Sequence, residues 1–102
     1  MALLRNDTPF AFGHRQWPGV AKVIEESGEV LQVCGKLIAT GGKEEHWDGT
    51  NLRQRLTEEV GQLLAALTFL IEKNDLSRLV IKEQFEKKLA LYEKWHNQGD
   101  NP

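Results

Sequence analysis

The chain has 102 residues, enough for one domain, and its composition excludes a disordered protein. Hydrophobic residues make up 40% and charged residues 27% of the chain, so we expect a packed fold. The chain has thirteen Lys and Arg residues and fifteen Asp and Glu residues, which gives a net charge of -2. The basic residues are not clustered in one block. This balance argues against polymeric nucleic acid or an anionic membrane surface as the main partner.

The cysteine content and the N-terminal segment favour a cytoplasmic protein. Cys34 is the single cysteine and lies in an apolar run, so we expect it in the core. A lone cysteine excludes an internal disulfide, a cysteine zinc site and a CxxC redox pair. The segment MALLRNDTPFAFG lacks the apolar core of a signal peptide, and no apolar run is long enough to span a bilayer.

Turn and capping signals predict one all-α domain over residues 1–102. Trp17-Pro18-Gly19 opens a first helix, because proline is tolerated in the first turn, and Gly41-Gly42 ends it. Asn51 and Ser77 are the expected N-caps of two further helices. The predicted segments are a tail over 1–16, helices over about 17–40, 51–73 and 77–97, and a frayed end over 98–102.

These helices are expected to form an antiparallel bundle that is completed by oligomerisation. The short link between the second and third helices predicts that they are antiparallel neighbours. The first helix carries two apolar stripes, which are Val20, Val23, Ile24, Leu31 and Ile38 on one side and Val30, Val33 and Leu37 on the other. A helix that is apolar on two faces needs more neighbours than two, so we expect a homodimer or homotetramer.

Charged residues stand within the apolar stripes of all three helices. On the second helix the stripe is Leu52, Leu56, Glu59, Leu63, Ala66 and Leu70. Glu59 therefore faces the core and needs a partner. On the first helix Glu26 continues the second apolar stripe, and Glu29 lies one turn further on. On the third helix Lys88 lies on the stripe of Ile81, Phe85, Tyr92 and Trp95.

The two acidic segments repeat one pattern. Residues 25–29 and 58–62 match as EExG(E/Q) at an offset of 33 residues, and each copy has an interior glycine, Gly28 or Gly61. Glycine inside a helix costs about 1 kcal/mol relative to alanine, which suggests a reason for its presence. Small residues let helices approach closely, which would place the acids of the first helix opposite Glu59 and Gln62.

The converging acids favour a metal site. Most Glu and Lys side chains on amphipathic helices are solvated, and solvation alone would explain any one of these charged residues. Three converging carboxylates repel one another, however, and one lysine does not neutralise them, whereas a divalent cation does. Oxygen ligands favour Mg²⁺, or Mn²⁺, over zinc. The converging carboxylates are Glu26, Glu29 and Glu59.

These residues resemble the MazG-like all-α nucleoside triphosphate pyrophosphohydrolases over residues 12–97. The family pairs an EExxE motif with an ExxD motif on a later antiparallel helix, and the two together bind Mg²⁺. Here the first motif is Glu25-Glu26-Ser27-Gly28-Glu29, and the second falls at Glu59 with Gln62 in place of the aspartate. The resemblance implies hydrolysis of a nucleoside triphosphate between the α and β phosphates, which yields the monophosphate and pyrophosphate.

The resemblance implies that Glu26, Glu29, Glu59 and Gln62 are the metal ligands, and it implies roles for other residues. Lys88 matches the family's downstream lysine and would offset charge on the phosphate oxygens. Glu25 or Glu58 would accept the proton of the attacking water, or else be solvated. Lys22 is a second candidate phosphate contact, and its alternative role is an i,i+4 ion pair with Glu26.

Aromatic residues outside the helices offer a base pocket. His14 and Trp17 precede the first helix, and Trp47 lies in the loop after it, where an indole ring can stack on a base. In the alternative, Trp17 staples the tail onto the bundle and Trp47 covers a helix end.

Two other functions stay open at this stage. The first is a non-enzymatic helical interaction protein, or a diverged inactive relative, in which the inward acids form buried ion pairs without metal. Gln62 bears on this alternative, because an amide oxygen can coordinate Mg²⁺ but adds no negative charge. The second is a metal-dependent hydrolase of another phosphate compound.

Overall fold

The computed structural model describes residues 16–99, which form three α-helices and no β-sheet. Helix α1 spans Val20–Ala39, α2 spans Leu52–Lys73 and α3 spans Arg78–Asn97. The predicted all-α class is confirmed. Within this part of the chain, no helix is both long and apolar enough to cross a membrane. The predicted tail up to residue 15, which includes His14, lies outside the described residues.

Local capping explains where the helices begin. The side chain of Asn51 accepts a hydrogen bond from the backbone N–H of Gln54 at 2.9 Å. Ser77 does the same for Val80 at 3.2 Å, so both predicted N-caps are confirmed. Each such cap contributes about 1 kcal/mol. Gly19 has the N-cap position of α1, with a φ of 91° and no side-chain cap.

Helices α1 and α2 pack side by side, with the start of α1 beside the end of α2. The side-chain amide of Asn74 donates to the carbonyl oxygen of Pro18 at 2.9 Å. Nearer the other end of the contact, Arg55 in the first turn of α2 pairs with Glu29 in the middle of α1. The buried apolar residues of the described chain are Ala21, Val33, Leu52 and Ala66. Leu52 is fully buried, which stabilises the fold by about 1.5–3 kcal/mol.

One apolar stripe of α1 faces the core and the other faces outward. Val33 is buried and Val30 is half-buried, so the second stripe lies on the α2 side. The first stripe is largely exposed, and Leu31 at its centre is 70% exposed. Cys34, which was expected in the core, is half-buried. The single chain thus leaves one face of α1 without the neighbours that its composition calls for.

Helix α3 stands apart from the other two. Extensive helix packing within residues 16–99 is confined to α1 and α2, and α3 has no buried residue. The expected packing of α3 against α2 is therefore absent from the single chain. A link of four residues limits the distance between two helix ends but does not set the angle between the helices. The radius of gyration is 16.8 Å, against about 13 Å for a compact chain of 100 residues.

Within residues 16–99, the interior glycines do not serve a close contact between α1 and α2, which corrects the expectation from the repeated motif. A Cβ atom added at Gly28 or Gly61 would meet nothing within 4 Å. The close approach occurs instead at Gly19, where an added Cβ would lie 2.8 Å from Phe69 Cδ1.

We expect Gly61→Ala to raise the free energy of unfolding by about 1 kcal/mol, because alanine is the better helix former and the added methyl group meets open space. Urea unfolding followed by circular dichroism measures the change. Gly19→Ala is the contrasting variant and should lower stability, since its φ of 91° and the Phe69 ring both disfavour a Cβ. A destabilised Gly61→Ala protein would contradict the open environment of Gly61.

Candidate functional site

Glu59 is the buried charge of the α1–α2 contact. Its side chain is only 5% exposed, and it lies on the buried side of α2 between Leu52 and Ala66, as the stripe predicts. Its Oε1 atom is 3.3 Å from Arg55 Nε. Its Oε2 atom is buried and has no hydrogen-bond partner among the described residues. A buried carboxylate with one unpaired oxygen is unfavourable by itself, so it points to a ligand.

Arg55 joins the acids of the two helices. Its Nη2 atom lies 3.7 Å from Glu29 Oε2, while its Nε pairs with Glu59. The planar guanidinium group suits this arrangement, since its donors project in fixed directions toward two carboxylates. We call Glu29, Arg55 and Glu59 together the acidic seam. Arg55 was not among the predicted site residues, although its i,i+4 spacing from Glu59 is a recognisable signal.

A cavity of about 450 Å³ adjoins the motif residues. Its lining consists of Lys22, Glu26, Gln62, Ala65, Ala66 and Phe69. Two of the expected metal ligands, Glu26 and Gln62, thus share one cavity. Glu26 Oε2 is buried and has no hydrogen-bond partner among residues 16–99. The volume falls in the range of small-molecule sites, and the wall is mainly apolar with a few polar groups.

The donor chemistry fits a hard cation in part. The orphaned oxygens Glu26 Oε2 and Glu59 Oε2 are buried carboxylate ligands of the type that Mg²⁺ prefers. Within the described residues, however, no group of three or more His, Cys, Asp or Glu side chains is assembled to hold a metal. Glu29 is paired with Arg55. The four expected ligands therefore lie along the same helix pair without forming a closed cage.

The candidate acid–base and phosphate-binding residues are placed less favourably. Glu25 and Glu58 are exposed. Lys22 pairs with Glu25 at 3.0 Å. Lys88 lies on α3, where it is exposed, so the single chain does not bring it to the acidic seam.

The expected aromatic pocket is not found in the described chain. Trp47 is 87% exposed at the tip of a tight turn, in which His46 N–H donates to the Thr50 carbonyl at 2.9 Å. Hydrogen bonds from Thr50 and then from His46 hold the pKa of Asp48 well below its usual range, so this turn carries a fixed negative charge. The cavity is lined by Phe69, and by neither Trp47 nor Trp17.

Phe69 is the aromatic residue that sequence reasoning missed. It lies beside Leu70 of the core stripe, one position off the predicted buried face. Its position at the edge of the apolar stripe could have identified Phe69 from the sequence, because residues at such an edge line the groove between two packed helices.

No family model matches this sequence, and comparisons with curated proteins and with solved structures find no match. Function is therefore inferred from the site residues and from the resemblance of the acidic motifs.

We expect Gln62→Asp to tighten Mn²⁺ binding by on the order of tenfold, because a carboxylate adds negative charge beside the orphaned oxygen of Glu26. Isothermal titration calorimetry with Mn²⁺ measures the affinity. Gln32→Asp, the same change at an exposed position on α1, is the control and should leave the affinity within twofold. An unchanged Gln62→Asp affinity would place Gln62 outside the coordination shell.

Proposed function

We propose that this chain is a Mg²⁺-dependent nucleoside triphosphate pyrophosphohydrolase similar to the MazG-like enzymes. The observation that carries the proposal is the burial of Glu59, at the key position of the second motif, with an unpaired carboxylate oxygen. Glu26 of the first motif supplies a second unpaired oxygen at the adjoining cavity. Two buried carboxylate oxygens without a hydrogen-bond partner among the described residues are easier to explain by a bound cation than by packing alone.

In this proposal Glu26, Glu29 and Glu59 hold the metal, with the amide oxygen of Gln62 as a neutral fourth ligand. When bound, Mg²⁺ supplies Lewis-acid polarisation of the phosphates and lowers the pKa of an attacking water, and Mn²⁺ can take its place. Lys22 at the cavity wall binds phosphate oxygens, for which it exchanges its ion pair with Glu25.

The cavity receives the base and sugar of the substrate. Ala65, Ala66 and Phe69 form an apolar wall against which a flat ring can pack. Water attacks the α phosphorus, the bond to the bridging oxygen of the α–β anhydride breaks, and pyrophosphate leaves. The water's proton passes to solvent through an exposed carboxylate, for which Glu25 and Glu58 are the candidates.

A second copy of the chain completes the site. The stripe of α1 centred on Leu31 and the apolar residues of α3 are exposed, among them Phe85 at 65%. Most helical stability in proteins comes from the packing of an apolar face, and α3 has no buried residue, so it needs a partner surface. We propose a homodimer or homotetramer in which α3 of one copy covers α1 of another, and in which Lys88 reaches the phosphates of the neighbouring site.

We expect metal-dependent pyrophosphate release from a panel of canonical and modified NTPs and dNTPs, measured with Mg²⁺, with Mn²⁺ and with EDTA. Glu59→Gln should lower the rate by more than about a hundredfold, because even the loss of a residue that only supports a metal ligand costs 10–100-fold. Glu72→Gln, an exposed acid on the same helix, is the matched control and should keep the rate within twofold. Circular dichroism checks that both variants fold.

Three outcomes would contradict the proposal. Full activity of Glu59→Gln would show that the site is elsewhere, and release of phosphate from other compounds alone would indicate a different metal-dependent hydrolase. No release at all would favour the non-enzymatic interaction protein. One observation already favours that second candidate function: Arg55 pairs with Glu29 and Glu59, so part of the acidic charge is compensated without metal.

We expect Phe85→Glu to shift the protein from an oligomer to a monomer in sedimentation velocity experiments and to reduce its helical circular dichroism signal, because α3 then loses its partner surface. Gln84→Glu introduces the same charge at the adjacent exposed position and should keep the wild-type sedimentation coefficient. A wild-type protein that sediments as a monomer with all three helices formed would contradict the shared bundle.

A further inference from the structure

We propose that Arg55 is the resident counter-cation of the acidic seam, and that a divalent metal binds there by displacing its guanidinium group from Glu59 and Glu29. This inference rests on the proposed function, because the displacing metal is the one that the motif acids would hold. It adds a residue that neither acidic motif contains, and it makes metal binding an exchange of one cation for another.

The contacts show why the two cations compete. The guanidinium lies 3.3 Å from Glu59 Oε1 and 3.7 Å from Glu29 Oε2, so it holds the two carboxylates that the metal needs. A dication bound to the same carboxylates would stand within a few ångströms of the positive guanidinium, where like charges repel strongly in a partly buried site. Both cations therefore do not occupy the seam together.

Exposure identifies which group moves. Arg55 is 49% exposed and lies in the first turn of α2, so its side chain can swing into water by rotation about its own bonds. Glu59 is 5% exposed and is held between the helices. The carboxylate thus stays in place while the guanidinium leaves, and the core is not disturbed.

The same exchange explains the absence of a closed metal cage among residues 16–99. Without metal, Arg55 compensates the charges of Glu29 and Glu59 and limits their mutual repulsion. Glu59 Oε2 is left buried and without a hydrogen-bond partner among the described residues. The ion pairs of Arg55 with Glu29 and Glu59 stabilise the metal-free protein. Because metal binding breaks them, they weaken the apparent affinity of the protein for metal.

The test compares Mn²⁺ affinity in Arg55→Ala and Arg53→Ala by electron paramagnetic resonance of free Mn²⁺, at fixed ionic strength. Arg53 is a matched control, because it lies two positions earlier on α2 and pairs with Glu44 outside the seam. Both variants remove one positive charge from the same turn. We expect Arg55→Ala to bind Mn²⁺ at least fivefold more tightly than wild type, and Arg53→Ala to stay within twofold.

The outcomes separate this inference from the proposed function. If wild type binds Mn²⁺ and Arg55→Ala binds it equally or more weakly, the exchange is overturned while the metal site stands. If neither protein binds Mn²⁺, the proposed function fails and the inference fails with it. Binding by Arg55→Ala alone would overturn the exchange, because metal would then not displace the guanidinium group in the wild-type chain.

A second measurement on the wild-type chain keeps the test independent of whether the variant folds. In ¹⁵N-labelled protein, the Nε–Hε signal of Arg55 should shift on addition of Mg²⁺, with the same midpoint as metal binding, because its ion pair with Glu59 is broken. The Nε–Hε signal of Arg53 should not follow that midpoint. Saturation with Mg²⁺ without any shift at Arg55 would overturn the inference.

Discussion

The burial of one carboxylate constrains the rest of the α1–α2 pair. Glu59 lies between Leu52 and Ala66 on the buried side of α2, and only Arg55 supplies a positive charge to it in the described chain. The Arg55–Glu59 pair lies within α2 and does not depend on the register of α1, whereas a change in that register would separate Arg55 from Glu29. The Arg55–Glu29 pair and the narrow apolar contact therefore favour the same register, which also brings Glu26 and Gln62 to one cavity.

The helices themselves follow from local signals in the sequence. Asn51 and Ser77 cap α2 and α3 through contacts that span three residues, so neighbouring residues alone suffice to predict them. The inward phase of Glu59 follows from the 3.6-residue period in the same way. The direction of α3 depends instead on which surface its apolar residues cover, and no local pattern encodes that choice.

The site was predictable to the extent that it depends on helix phase. Glu59 lies on the buried side of α2, as its helical phase predicts, and Glu26 and Gln62 line one cavity. Arg55 and Phe69 were missed, because their importance depends on how the two helices pair. The predicted close helix contact at Gly28 and Gly61 was wrong for a related reason. A glycine inside a helix has several explanations, and only the packed structure shows whether another helix lies against it.

Because the link after α2 is short and α3 is long, a small change of angle at the link produces a large displacement at the end of α3. Asn74 is fixed to the body of the α1–α2 pair through its bond to Pro18, and Asp75 adopts a left-handed φ of 51°, which aspartate tolerates better than most residues. The backbone N–H of Leu76 also donates to the Ile71 carbonyl at 3.1 Å, so only the backbone between Leu76 and Arg78 remains to absorb a change of direction. Helix α3 is about 30 Å long at 1.5 Å per residue, so a rotation of about 10° at the link moves its far end by roughly 5 Å. A small torsional adjustment at Ser77 therefore produces a large displacement at Trp95, two residues before the end of α3.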